Sequence, residues 1–129
     1  GAVAGIRLRQ RPDPRGDIGY GVFFEVRDRS TRDRWIAALR ERHVPASTLT
    51  GSVLLPLEES VIEKRTRHPD WPSFNSPAGK AITYGAGCCP QTLGIFDRFV
   101  QVRIGPKYTQ RINDHIIEAI RQVGGELGE

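Results

Sequence analysis

From Phe99 onward the chain alternates, with Val100, Val102 and Ile104 on one side and Gln101 and Arg103 on the other, a period of two that predicts a half-buried strand. Gly105-Pro106 stops it. Thr109 then stands where a helix cap belongs, ahead of Ile112, Ile116, Ile120 and Val123, which recur at helical spacing along one stripe. Gly124-Gly125 is expected to end that helix. Just upstream, Pro90 suits the first turn of a short helix, where a missing N–H costs nothing, and Leu93, Ile95 and Phe96 give it an apolar side.

The N-terminal third carries a second set of patterns. Ile6 and Leu8 alternate with Arg7 and Arg9, predicting an edge strand that stops at Pro12. Asp13-Pro14-Arg15-Gly16-Asp17 has the residues of a turn, and Tyr20 to Val26, β-branched and aromatic, suits a more central strand able to pair with the first as a hairpin. Ser30 is the expected cap of a helix ending near His43, with Trp35, Ile36 and Leu39 facing inward and Val44 closing its end before Pro45. Ala46 to Leu49 is read as another short strand. Between about 51 and 87 the signals weaken, because Pro56, Pro69, Pro72 and Pro77 interrupt any long periodicity, and only a short helix over Leu57 to Lys64 is expected. An irregular stretch this long inside a compact domain is often a binding segment. The plan that emerges is α+β, a small antiparallel or mixed sheet with helices packed on one face, forming a single domain over residues 1–129.

Composition narrows the class. A chain of 129 residues is one domain by length and can bury a modest core. With 38% hydrophobic and 26% charged residues it has a globular balance, while 14 glycines and nine prolines imply much irregular chain. No run approaches the roughly 20 apolar residues that span a bilayer, and the start lacks the basic and apolar segments of a secretory signal, so a cytoplasmic protein without a membrane partner is expected. The net charge of +4 comes mainly from arginine. Nucleic acid is an alternative partner on that ground, but Arg7, Arg9, Arg15, Arg27, Arg29, Arg32, Arg34, Arg40 and Arg42 are dispersed among Asp13, Asp17, Glu25, Asp28, Asp33 and Glu41. A mixed-sign surface is the better explanation, and no nucleic-acid partner is expected.

Few residues offer chemistry of their own. Cys88 and Cys89 are adjacent, unlike the spaced pairs of structural zinc sites, and no metal site is expected; a reduced, structural role suits them better than catalysis. His43 lies near a helix C-terminus and His115 beside the apolar stripe of the last helix, both read as having structural or solvent roles. His68 differs. It lies in EKRTRHPDWPSFNSP with Arg65, Arg67, Asp70, Trp71 and Asn75, a mixture able to hydrogen-bond a hydroxylated or anionic ligand while offering an aromatic face. Gly85-Ala86-Gly87 lacks the strand-to-helix context and the Lys-Ser/Thr of a phosphate loop.

The stretch CPQTLGIFDRFVQVRIGPKYTQRINDHIIEAIRQV, with Cys89-Pro90, Thr92-Leu93, Arg98, the V-x-V-x-I strand, Gly105-Pro106, Thr109 and Ile116-Ile117-Glu118-Ala119-Ile120, resembles the C-terminal end of DegT/DnrJ/StrS aminotransferases. These are pyridoxal-phosphate enzymes that aminate keto- and aldehyde sugars. RPDPRGDIGYGVFFEVRDRSTRDRWIAALRERHVPASTL is similar to the start of that family's small domain. The resemblance implies the small domain of a fold-type I enzyme, an N-terminal large domain as partner, a homodimer, and a sugar substrate with an amino-acid donor. In that family the Schiff-base lysine lies on the large domain, so none of Lys64, Lys80 and Lys107 is expected to serve, no catalytic residue is assigned, and this part alone should neither bind the cofactor nor transaminate. Substrate-binding residues are expected at Arg65, Arg67, His68, Trp71 and Asn75, in a loop similar to that of enzymes aminating eight-carbon keto-sugar acids. A free-standing binding or oligomerisation module derived from such a domain is the alternative.

Overall fold

The computed structural model describes residues 3–49, 54–68 and 74–127. Its sheet has four strands, β1 (Arg7–Leu8), β2 (Gly21–Glu25), β3 (Ala46–Ser47) and β4 (Phe99–Arg103), in the order β1-β2-β4-β3. Every pair is antiparallel, which settles the sheet as antiparallel rather than mixed. β1 and β2 form the expected hairpin, with Arg7 opposite Glu25 and Leu8 opposite Phe24. The turn between them is built by aspartates: the Asp13 carboxylate accepts from Arg15 N at 3.0 Å and that of Asp17 from Gly19 N at 2.8 Å, so Gly19 can take its positive φ of 66°.

Two helices, α1 (Arg29–Glu41) and α5 (Gln110–Leu127), pack on one face of this sheet. The core is where the period-two and period-3.6 faces meet: Phe24, Val100, Val102 and Ala46 from the strands, Trp35 and Leu39 from α1, Ile116, Ala119, Ile120 and Val123 from α5. Trp35, Phe24 and Leu39 are its largest fully buried side chains, and the Trp35 and Phe24 rings meet edge-on at 5.2 Å.

Helix α1 is capped by Asp28 rather than Ser30. The Asp28 carboxylate accepts from Thr31 N at 2.8 Å, where an anion also meets the positive end of the helix dipole; a hydroxyl two residues on, already inside the first turn, offers less. That hydrogen bond, then one from Arg27, holds the Asp28 carboxyl at about 2. A folded-state value below the unfolded one means that this stabilisation is complete above about pH 4 and disappears as pH falls toward about 2. Urea midpoints measured across that window are expected to fall less steeply in Asp28→Asn, whose amide oxygen keeps the cap without the titration.

The other end of α1 closes with His43 in the left-handed region at φ 58°, a position usually given to glycine. His43 N donates to the Arg40 carbonyl at 2.9 Å and Val44 N to that of Leu39 at 3.0 Å, the paired bonds of a Schellman ending, with buried Val44 over buried Leu39. His115 Nε2 lies 2.8 Å from the Arg42 carbonyl, an oxygen that can only accept, so this ring nitrogen carries the proton and donates. Of the structural and solvent roles expected for these exposed histidines, each has a structural part: His43 in the helix ending and His115 on the Arg42 carbonyl. Arg32, nearly buried, donates to the Phe96 carbonyl at 3.0 Å, which also accepts from Thr48 Oγ1 at 3.2 Å.

Contrary to expectation, Gly124-Gly125 does not end α5, which runs on to Leu127. Gly124 is buried, and a Cβ there would overlap Val3 Cγ1 and come within 3.4 Å of the Trp35 ring, so this glycine is a close approach rather than a stop. Gly125 is exposed with nothing within 4 Å. Gly124→Val is expected to cost about 2 kcal/mol by overpacking, and Gly125→Ala to gain up to about 1 kcal/mol from helix propensity; paired urea unfolding curves read both.

The chain divides into two compact units, Gly1–Leu49 with Ile95–Glu129, and Thr50–Gly94. The first holds the sheet, α1 and α5. The second holds a 3₁₀ turn (Leu55–Leu57), α2 (Glu59–Ile62), α3 (Pro77–Ala81), a 3₁₀ turn (Ala86–Cys88) and most of α4 (Pro90–Phe96), whose last residues belong to the first unit. None of the described residues from 54 to 94 is fully buried.

Candidate functional site

The loop singled out by the sequence lies in the second unit, between α2 and α3. Lys64 organises it. With φ at 54° it turns the chain after α2, and its Nζ donates to the carbonyls of Gly79 at 2.9 Å and Lys80 at 3.0 Å, the end of α3 that has carbonyls to spare. The stretch Arg65–His68 is thereby tied beside α3. Ser76 Oγ accepts from Gly79 N at 3.0 Å and Pro77 follows at the first helical position, fixing the other end of α3 next to Asn75. Phe74 and Tyr84 flank α3 in sequence and meet edge-on at 5.8 Å.

Within this frame the predicted residues differ in what they can offer. The Arg65 guanidinium is taken: it donates to Glu59 Oε1 at 2.7 Å and to the Glu63 carboxylate, whose pKa it holds below the usual range while its own rises. Arg67 is exposed and makes no ion pair among the described residues, so it is the loop cation open to an anion. His68 is exposed, its carbonyl accepting from Thr66 Oγ1. Asn75 is exposed at the entrance to α3. Trp71, with Asp70, lies outside the described residues.

Lys64 does not fit the role of a Schiff-base lysine, because an amine donating to two carbonyls is held as a structural donor. Lys80 is exposed at the end of α3 and Lys107 exposed in the turn after β4, neither enclosed as a reactive amine would need to be. Nor do described His, Cys, Asp and Glu residues gather into a metal-binding group. Cys88 and Cys89 are free thiols, Cys88 Sγ lying 3.3 Å from the Thr83 carbonyl.

In the first unit the structure adds two surfaces that the sequence reading did not single out. On the sheet face away from the helices, Phe23 stacks on Phe99 at 5.7 Å, Tyr20 tilts against Phe23 at 5.2 Å, and the Arg9 guanidinium sits 5.2 Å from the Phe23 ring centre while holding Asp17. Gly21 leaves room there, since a Cβ would lie 3.0 Å from that ring and 3.1 Å from the Val102 carbonyl oxygen. Gln101, assigned to the solvent side of β4, is also buried. The second surface is an apolar groove of about 700 Å³ between β1 and α5. Its signal was present in the sequence: Ile117 lies off the helical stripe, and Leu8 is an aliphatic residue on an edge strand.

No family model matches the chain, and no curated protein does. Among solved structures the chain is similar to one described as "Putative sugar aminotransferase" from Streptococcus pneumoniae, in its PMP form. The TM-score is 0.52 at 14% identity, over 83% of this chain and 22% of that one. The fold is therefore shared with part of a sugar-aminotransferase-like structure, and this chain spans about a fifth of its length. No described helix is long and apolar enough to cross a membrane.

Proposed function

We propose that residues 1–129 form the small C-terminal domain of a pyridoxal-phosphate-dependent sugar aminotransferase of the DegT/DnrJ/StrS type. The observation that carries this reading is the likeness of the antiparallel sheet and its helices to a portion, 22%, of a structure described as a sugar aminotransferase. The stretch from Cys89 to Val123, with its Cys-Pro, alternating strand, Gly-Pro and isoleucine-rich helix, supports it from the sequence side. On this reading an N-terminal large domain supplies the lysine and the phosphate cup, since Lys64, Lys80 and Lys107 fit neither role, and the intact enzyme is a cytoplasmic homodimer. Bound there, pyridoxal phosphate would supply the electron sink needed to move an amino group from an amino acid to a keto or aldehyde sugar.

This chain's own part is to form one wall of the substrate cleft. Arg67, exposed and without an ion pair among the described residues, offers its guanidinium to the carboxylate of an anionic keto-sugar acid, His68 and Asn75 offer hydrogen bonds to hydroxyls, and Trp71 offers an aromatic face. Arg65 serves differently from a free cation: held by Glu59 and Glu63, it shapes the loop more than it reaches for substrate. The arginine-rich surface suits this use better than nucleic acid, because Arg7, Arg9, Arg27, Arg32 and Arg42 are each paired with a carboxylate. Mixing residues 1–129 with pyridoxal phosphate tests the assignment. No stoichiometric lysine adduct should be visible by absorbance. A one-to-one adduct abolished by replacing a single one of the three lysines would overturn it.

A second reading, a stand-alone binding module, is favoured by one observation, the apolar groove along α5.

A further inference from the structure

The chain has two cysteines and places them side by side, Cys88 and Cys89. A free cysteine is among the most buried of residue types, and where it is not packed away its reactivity decides what it does. Neither thiol here lies in a core: Cys88 is exposed and Cys89 half-buried, and both are free. They stand at the end of the 3₁₀ turn Ala86–Cys88, just ahead of Pro90 and α4. Cys88 N donates to the Gly85 carbonyl at 3.0 Å, but Cys89 N reaches that of Ala86 only at 3.4 Å, so the turn is weakly closed at the pair itself. The Cys88 thiol lies 3.3 Å from the Thr83 carbonyl, an oxygen that can only accept, so the sulfur donates. Upstream the backbone has freedom and room. Gly85 has φ 147°, and a Cβ at either Gly85 or Gly87 would meet nothing within 4 Å.

We propose that Cys88 and Cys89 form a reversible redox site, closed to a disulfide between neighbours by exchange with a small-molecule disulfide of the glutathione class. The exposed Cys88 thiol releases its proton to water, and its thiolate attacks one sulfur of that disulfide; a mixed disulfide forms and one glutathione leaves as thiolate. Cys89, deprotonated in turn, attacks the Cys88 sulfur, the bridge closes and the second glutathione leaves. Two protein thiols are oxidised and one disulfide is reduced to two thiols. A single peptide unit joins the two cysteines, which keeps the second thiol at hand and favours closure over a lasting mixed disulfide. Bridging adjacent residues also strains the turn, so the bond is readily reduced again, as suits a sensor and not a staple. Closure draws the Cys88 sulfur off the Thr83 carbonyl. Thr83 precedes Tyr84, whose ring meets Phe74 beside Asn75, so the change is passed from the turn toward the loop that Lys64 organises. The inference stands on the two thiols and does not depend on the aminotransferase reading.

The test is equilibration of the reduced chain, residues 1–129, with mixtures of glutathione and glutathione disulfide without oxygen, followed by acid quenching, alkylation and mass analysis of the intact chain and its peptides. Expected is a product that has lost two hydrogens, carries no glutathione, resists alkylation, maps to the Cys88–Cys89 peptide and returns to two alkylatable thiols on adding glutathione. Cys88→Ser and Cys89→Ser should each stop at the stable mixed disulfide. Amide NMR of the oxidised chain should show its largest shifts between Thr83 and Leu93, with Leu39 and Val102 unmoved. A parent chain that accumulates the mixed disulfide, that links to a second chain, or that stays reduced at every ratio overturns the proposal. So does a closed bridge that leaves the Thr83 and Tyr84 amides where they were.

Discussion

Trp35→Ala is expected to remove about 3–5 kcal/mol of folding stability, a large share of the roughly 5–15 kcal/mol that holds a domain of this kind folded. Trp35 is fully buried, packs edge-on against Phe24 at 5.2 Å and stands under Gly124 of α5, so its loss opens a cavity where α1, α5 and the sheet meet. Trp35→Phe should cost much less. The Trp35 Nε1 is buried without a hydrogen-bond partner among the described residues, and removing an orphaned donor returns part of what the smaller ring loses in contact. Urea unfolding of the two variants beside the parent chain checks this; a loss for Trp35→Phe as large as for Trp35→Ala would contradict it.

The second large effect concerns substrate. On the proposed aminotransferase reading, Arg67→Ala in the intact enzyme is expected to lower kcat/KM for an anionic keto-sugar acid about 10- to 100-fold, the range of one charge-assisted hydrogen bond of about 1.5–3 kcal/mol. A neutral keto sugar should be affected little. Arg65→Ala should act through loop stability instead, since its guanidinium is already engaged by Glu59 and Glu63. The contrast is measured by steady-state kinetics on both substrates. A uniform loss on charged and neutral sugars would remove Arg67 from carboxylate recognition.

What could be read from the sequence was whatever had enough length to show a period. The alternation from Phe99 to Arg103 and the stripe through Ile116, Ile120 and Val123 became β4 and α5, and Trp35, Ile36 and Leu39 became the buried side of α1. Ala119, missing from the stripe as read, is buried because a core-facing helix buries a band wider than one row of residues. Single-residue decisions were harder. The Gly124-Gly125 pair has the composition of a stop, yet what matters at Gly124 is the room needed by Val3 and Trp35, which only tertiary packing reveals.

The short elements of the second unit were the least legible. The expected helix over Leu57 to Lys64 resolves into a 3₁₀ turn followed by the four-residue α2, and α3 and the Ala86–Cys88 turn went unseen because none is long enough to show a helical period. Ser76-Pro77, a cap followed by proline, was the available signal for α3. For the loop, the residue types suggested anion recognition, but only the structure separates Arg67, which is open, from Arg65, which is engaged.

Sequencing the transcript that encodes Gly1 to Glu129 tests most directly whether this is the lesser lobe of a transaminase. Expected is an open frame running upstream of Gly1 into a larger domain, whose lysine, in the purified full-length protein, forms an adduct with pyridoxal phosphate. A frame that starts at Gly1, or one whose upstream domain holds no such lysine, would contradict it.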